Sequence, residues 1–227
     1  MADLMTKFAG MILKSPIIIA SAGITETIER MEKCQQYGAS AVVMKSYFEE
    51  VISRRSPTPR FKIIKHDLGK NKTWTLFSYE QASEWDIYRY AQEVTKAKSK
   101  LDIKIIPSIN CTTDQGWVES AKILESAGAD AIELNTSCPH GSITFRGKAV
   151  EEAIFNSVRL VREAVSIPII AKISPMLTSP IGVVKELENI GVDAVTIFNR
   201  MTALEIDIEE EKPIMHGGYA GHGGPWA

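Results

Sequence analysis

Three times in this chain an amphipathic stretch ends on a glycine and passes, within a residue or two, into a short apolar run: YGASAVVMK, AGADAIELN and IGVDAVTIF. Glycine at the position after a helix takes up the left-handed backbone that ends it, and the short link sends the chain straight back into a sheet. A unit of this kind, repeated, gives βα modules, and their right-handed crossovers make the sheet parallel.

The candidate buried strands are Ile17–Ala20, Ala41–Met44, Ile103–Ile109, Ala131–Leu134, Ile167–Ile173 and Ala194–Phe198. All are short and rich in Ile, Val or Ala, as strands covered on both faces should be. Helical patterns run between them over Thr27–Tyr37, Ser83–Lys98, Gly116–Ala127, Val150–Val165 and Ser179–Ile190. No GxGxxG turn follows the first strand, and polar residues sit at the C-terminal end of nearly every strand. That favours a (β/α)8 TIM barrel over an open doubly wound sheet, because barrel enzymes build their sites at those ends. Only six of the expected eight βα units are found in 227 residues, so the barrel reads as incomplete at its C-terminus, one domain over residues 1–227. Two long stretches interrupt the alternation: residues 46–82, read as an insertion or lid after strand two, and residues 199–225.

Composition narrows the function. A formal net charge of −2 offers no basic excess for nucleic acid or an anionic membrane. The opening MILKSPIIIASAG has a lysine and a short apolar run, but Lys14-Ser15-Pro16 break it. It falls short of the ~7–15 apolar residues of a secretory signal, and nothing approaches the ~20 of a membrane span. Cys34, Cys111 and Cys138 are odd in number and contain no CxxC pair. They read as reduced thiols of a cytoplasmic protein and not as a disulfide framework or zinc site.

The residues at the C-terminal ends of the strands form a constellation. In order these are Ser21-Ala22-Gly23, Lys45-Ser46, Asn110-Cys111, Asn135-Thr136-Ser137-Cys138, Lys172 within strand five, and Asn199-Arg200. A barrel would aim them at one cavity holding two lysines, three amides and a thiol. There is neither a carboxylate cluster nor convergent histidine, so metal-assisted hydrolysis is not expected and no metal site is assigned. Lysine rarely stays buried without a partner, which marks Lys172 in IIAKISP and Lys45 in VVMKS. Cys111 reads as a small core residue. Cys138 is held in a loop by Pro139 and Gly141, and a thiol of ordinary pKa ~8.5 is a competent proton acceptor once deprotonated.

ELNTSCPHG, followed by AKISP and preceded by VVMKS, resembles the dihydroorotate dehydrogenases and the pyrimidine-reducing barrel domain of dihydropyrimidine dehydrogenase. The likeness extends through FAGMILKSPIIIASAG, IIPSINC, AGADAIELN and HGGYAGHGG, nearly the whole chain in order. It implies an FMN-dependent oxidoreductase acting on the C5–C6 bond of a dihydropyrimidine, dihydroorotate to orotate first among the candidates. Cys138 would exchange a proton at C5 while hydride moves between C6 and the flavin, and Lys172 would lie against the flavin edge that gains negative charge. The resemblance further implies cofactor contacts from Ala20, Ser21, Lys45, Ser46, Asn110, Asn135, Gly217, Gly218 and Gly221. It implies substrate contacts from Lys45, Asn135, Ser137 and Asn199.

The sequence departs from the family pattern where TLFSYEQ offers Ser78 and no Asn, and where Arg200 follows Asn199. Arg200 could meet a substrate carboxylate or the acidic run Glu209–Glu211. Expected partners are a small pyrimidine, an electron acceptor left open, neither nucleic acid nor membrane, and a homodimer as one assembly open to the chain. Two other readings stand beside this one. Lys172 could form a Schiff base in an aldolase-like barrel. Alternatively, the barrel could be a non-catalytic flavin-binding or assembly protein.

Overall fold

The computed structural model describes residues 3–49, 66–68, 71–73, 85–136, 147–199, 201–203, 205–207, 209, 212–214 and 220–222. It opens with an antiparallel hairpin, β1 (Thr6–Phe8) and β2 (Met11–Leu13). Ala9 and Gly10 between them have φ of 47° and 73°, the left-handed pair that a tight two-residue hairpin turn needs. Then come β3 (Ile18–Ile19), α1 (Ile28–Gln36), β4 (Ala41–Val43) and β5 (Tyr47–Phe48). A small hairpin, β6 (His66–Leu68) with β7 (Asn71–Thr73), precedes α2 (Ile87–Lys100), β8 (Lys104–Ile106) and β9 (Ser108–Asn110). The chain continues as α3 (Asp114–Ser126), β10 (Ile132–Asn135), α4 (Gly147–Ala164), β11 (Ile169–Ile173), α5 (Pro180–Ile190) and β12 (Ala194–Ile197).

The sheet is parallel and its strands lie side by side in chain order. β3, β4 and β8 form one part; β5, β9, β10, β11 and β12 form the other. The parts join because β8 and β9 are one strand interrupted at Pro107, which lacks the N–H a ladder needs. Asp130 N–H donates to the Ile105 carbonyl and Glu133 N–H to the Pro107 carbonyl, carrying the pairing across the break. Six strand positions in sequential order, each pair separated by a helix, make a partial TIM barrel that is not closed among the described residues.

Side chains alternate across this sheet. Ile105, Ile109, Ile132, Leu134, Ile169, Ala171 and Ile173 face outward and pack with the helices. Ala41, Val43, Ile106, Ala131 and Ile170 face inward, where Met11 and Leu13 of the hairpin close over them. The apolar N-terminal stretch therefore corks the bottom of the barrel. Inward positions nearer the strand C-termini are polar: Ser108, Asn110, Glu133, Asn135 and Lys172 are all buried.

The repeated glycine behaves as its spacing predicts. Gly38, Gly128 and Gly191 have φ of 93°, 88° and 97°. Two residues beyond each glycine, a short polar side chain does the same job in all three repeats. Asp130 accepts from Ile105 N–H (2.9 Å), Asp193 from Ile169 N–H (2.8 Å) and Ser40 from Ser15 N–H (2.6 Å). Each satisfies a backbone donor near the start of a strand, where an unpaired buried N–H would cost about 1–3 kcal/mol. Burial pushes the Asp130 carboxyl up, but donation from Lys98, from Ile105 N–H and from Lys104 outweighs it and holds the group below its ordinary 3.8.

Helices α1, α2, α3 and α5 begin on Thr27, Asp86, Thr113 and Ser179, whose side chains accept from first-turn N–H groups. The expected insertion at 46–82 falls largely outside the described residues; its opening residues Tyr47 and Phe48 are buried and belong to β5. In the second long stretch, β13 (Met201–Ala203) pairs with β16 (Ala220–His222), and β14 (Glu205–Asp207) with β15 (Lys212–Ile214). Among the described residues no helix is long and apolar enough to cross a membrane.

Candidate active site

Alternation decides what reaches the barrel axis. β10 presents Glu133 and Asn135 inward because Ile132 and Leu134 are committed to the helix layer. By the same parity β11 presents Lys172, β9 presents Ser108 and Asn110, and β12 presents Thr196. Lys172 is 8% exposed and Glu133 1%. Lys172 Nζ lies 4.0 Å from Glu133 Oε1.

Both oxygens of Glu133 are engaged: Ser108 Oγ donates to Oε1 (2.9 Å) and Thr196 Oγ1 to Oε2 (3.2 Å). Behind Ser108 the hydroxyls continue, Ser46 Oγ at 2.8 Å and Ser21 Oγ a further 3.0 Å away. Tyr90 anchors the broken strand from outside, its hydroxyl accepting from Ser108 N–H (3.1 Å) and donating to the Ser108 carbonyl (3.3 Å). Burial pushes that phenol well above its usual range.

One turn nearer the strand ends lies a layer of amides. Asn110 Nδ2 donates to the Asn135 carbonyl at 2.8 Å, and Asn199 Nδ2 donates to Asn135 Oδ1 at 2.9 Å. Asn110 and Asn135 are buried, whereas Asn199 is half-buried. Lys45 is also half-buried, its backbone N–H donating to the Thr25 carbonyl at 3.1 Å. Ser46 is buried, Ser21 half-buried and Ala20 exposed.

The structure thus gathers Ser21, Ser46 and Lys172 along the Ser108–Glu133 row, and Asn110 and Asn199 on Asn135. Gly221 lies in β16, its Cα opposite Thr202 of β13. Ser137, Cys138, Arg200, Gly217 and Gly218 lie outside the described residues. Cys111 is a core residue as its sequence suggested: 5% exposed, its thiol pushed up to about 12 by burial, with partial relief from Ser120. Cys34 and Cys111 are free thiols.

Glu133 is the residue that reading the strand ends alone overlooked. The alternation in AIELN carried the signal, since Ile132 and Leu134 on one face oblige Glu133 onto the other. Among the described residues no group of His, Cys, Asp or Glu side chains is assembled to hold a metal ion.

A partial parallel barrel with a buried lysine, a carboxylate and a layer of amides at its strand C-termini defines a barrel of enzyme type. The family model described as dihydroorotate dehydrogenase matches residues 3–226, nearly the whole chain. A Thermoplasma acidophilum protein named dihydroorotate dehydrogenase B (NAD(+)), catalytic subunit, is 30% identical over 99% of this chain and 71% of its own length. Proteins of the same name from Methanocaldococcus jannaschii and Pyrococcus abyssi are 29% and 30% identical, over 97% and 95% of this chain and 70% and 69% of their own. The chain belongs to the dihydroorotate dehydrogenase family, a family of oxidoreductases.

Proposed function

We propose that this chain is the barrel of an FMN-dependent oxidoreductase that oxidises dihydroorotate to orotate across its C5–C6 bond. The observation that carries the reading is Lys172, buried on the inner face beside inward-facing amides of neighbouring strands. The names of the relatives support the substrate. The donor set fits a flavin ring, which takes hydrogen bonds at its carbonyl and nitrogen edge and is favoured by a fixed positive charge where reduction places electrons. When bound, FMN supplies the acceptor for the hydride that leaves C6.

The chain's own residues have four tasks. Lys172, Lys45 and Asn110 orient the ring, with Ser21, Ser46, Asn135 and the backbone at Ala20 beside them. Asn135, Ser137 and Asn199 orient the pyrimidine, and Arg200 offers a cation to its carboxylate. Cys138, as thiolate, removes the proton from C5; a thiol that titrates near working pH suits such a base. Gly217, Gly218 and Gly221 let backbone approach the cofactor.

Electrons leave through a separate subunit, a route supported by the relatives' names, which contain both NAD(+) and catalytic subunit. The aldolase-like use of Lys172 has its own test, borohydride trapping of a carbonyl substrate on that lysine.

The test is anaerobic titration of the FMN-loaded chain with dihydroorotate. Loss of the oxidised flavin absorbance, slowed about 100-fold or more in Cys138→Ser with FMN affinity preserved, is the expected result. A flavin that binds but is never reduced supports the non-catalytic reading, and a substituted protein that loses FMN along with its rate removes the acid/base role.

A further inference from the structure

We infer that Glu133 is a positioning residue that fixes the ammonium of Lys172 on the barrel axis and tempers the positive charge presented to a bound flavin. The inference rests on the FMN reading of the site. Glu133 is 1% exposed, and an ionised carboxylate so deep costs several kcal/mol unless charge and hydrogen bonds offset it. Here both are present: donors on each oxygen, from Ser108 and Thr196, and Lys172 Nζ at 4.0 Å.

The hydroxyl chain fixes the carboxylate further. Each serine has one proton to donate, and the ionised carboxylate only accepts. Ser108 therefore spends its proton on Glu133, Ser46 donates to Ser108, and Ser21 donates to Ser46. The whole row of O–H dipoles points at one oxygen and holds Glu133 in place, with the Lys172 ammonium 4.0 Å from it. Paired in this way, Lys172 acts on its surroundings more as a dipole than as a lone charge, and a dipole's field falls off faster with distance.

Glu133→Gln keeps the shape and removes the negative charge. With FMN bound, the reduced form should gain affinity over the oxidised form by about tenfold, which raises the two-electron midpoint by about 30 mV. Lys172→Met should move the midpoint the other way. Damage to packing alone would weaken both flavin forms in both variants, so opposite signs separate positioning from structure. A midpoint unmoved by Glu133→Gln, or moved in the same direction as in Lys172→Met, overturns the inference.

A second readout needs no flavin. Pulsed acylation of the full chain, read by mass spectrometry, should label Lys172 about fivefold faster in Glu133→Gln, while alkylation of buried Cys34 and Cys111 stays unchanged. Unchanged Lys172 labelling, or a rise shared by both cysteines, defeats the inference. A wild-type chain that takes up no FMN defeats the proposed function instead, and the labelling result then judges Glu133 alone.

Discussion

Asn199 donates from its side-chain amide to Asn135 Oδ1 at 2.9 Å, joining the ends of β12 and β10 across the mouth of the barrel. The two strands are not ladder neighbours, since β11 lies between them. Side chains alone therefore make this link, and it sets the direction in which the Asn135 amide faces. Asn199→Leu should leave Asn135 free to rotate. The expected outcome is orotate binding weakened about tenfold, or 1.4 kcal/mol, with little change in melting temperature because Asn199 is half-buried. Calorimetric titration beside a melting curve checks it; equal binding in the two proteins would remove Asn199 from the substrate layer.

Glu49 docks on the N-terminus of α3. Its carboxylate accepts from Thr112 N–H (2.7 Å), Thr113 N–H (3.1 Å) and Thr113 Oγ1 (2.7 Å). A Cβ added at Gly116 would run into that carboxylate. Helix propensity alone predicts that Gly116→Ala stabilises by about 0.5–1 kcal/mol. Displacing Glu49 from these charge-assisted bonds costs more, so the substitution should destabilise by about 1–2 kcal/mol. In a Glu49→Ala background the sign should reverse, since only the propensity gain remains. Denaturant unfolding of the four proteins in this cycle measures the coupling, and a Gly116→Ala effect independent of residue 49 refutes it.

Much of this architecture can be read from the sequence because the βα repeat writes the same physics several times. Gly38, Gly128 and Gly191 mark the ends of α1, α3 and α5 through a backbone requirement that few other residues meet, so these three helix–strand junctions are visible in the letters. Lys172 is visible for a related reason, as a charge inside an otherwise apolar strand. Other features carry weaker signals. The β1–β2 hairpin has three-residue strands, too short for alternation to stand out, and its turn uses Ala9 where Asn or Asp is usual. The inward face of Glu133 requires parity counted within β10 and not only at its end. Its partners Ser108 and Thr196 come from β9 and β12, contacts that depend on the register of the assembled sheet.

Leu13 tests the cork. It is 1% exposed and packs against the inward face of the barrel, while Ile12 beside it is 65% exposed. Leu13→Ala should cost about 2–5 kcal/mol, the range for truncating a buried leucine, and Ile12→Ala should stay within about 0.5 kcal/mol. The contrast arises from the hairpin's alternation, and chemical denaturation of both variants measures it. Equal losses would mean that the hairpin does not seat on the barrel through Leu13.

Asp130 gives the barrel a predictable response to acid. It accepts from Ile105 N–H at 2.9 Å and pairs with Lys98 at 2.6 Å and Lys104 at 3.0 Å, which hold its carboxyl below the ordinary 3.8. A group depressed in the folded state contributes stability that is fully present above its unfolded pKa and is lost as pH falls through the folded one. The contribution should therefore be intact from neutrality down to about pH 5 and drain away below about pH 4. Both lysines are about a third exposed, which limits the pair to roughly 1–2 kcal/mol after screening. Asp130→Asn keeps an oxygen for Ile105 N–H and removes only the charge. It should lower the unfolding free energy by that amount at neutral pH, and the gap to the unsubstituted chain should close as the solution is acidified. Urea unfolding at several pH values measures the gap; one that stays constant into the acid range would show that the carboxylate is not held by its lysines.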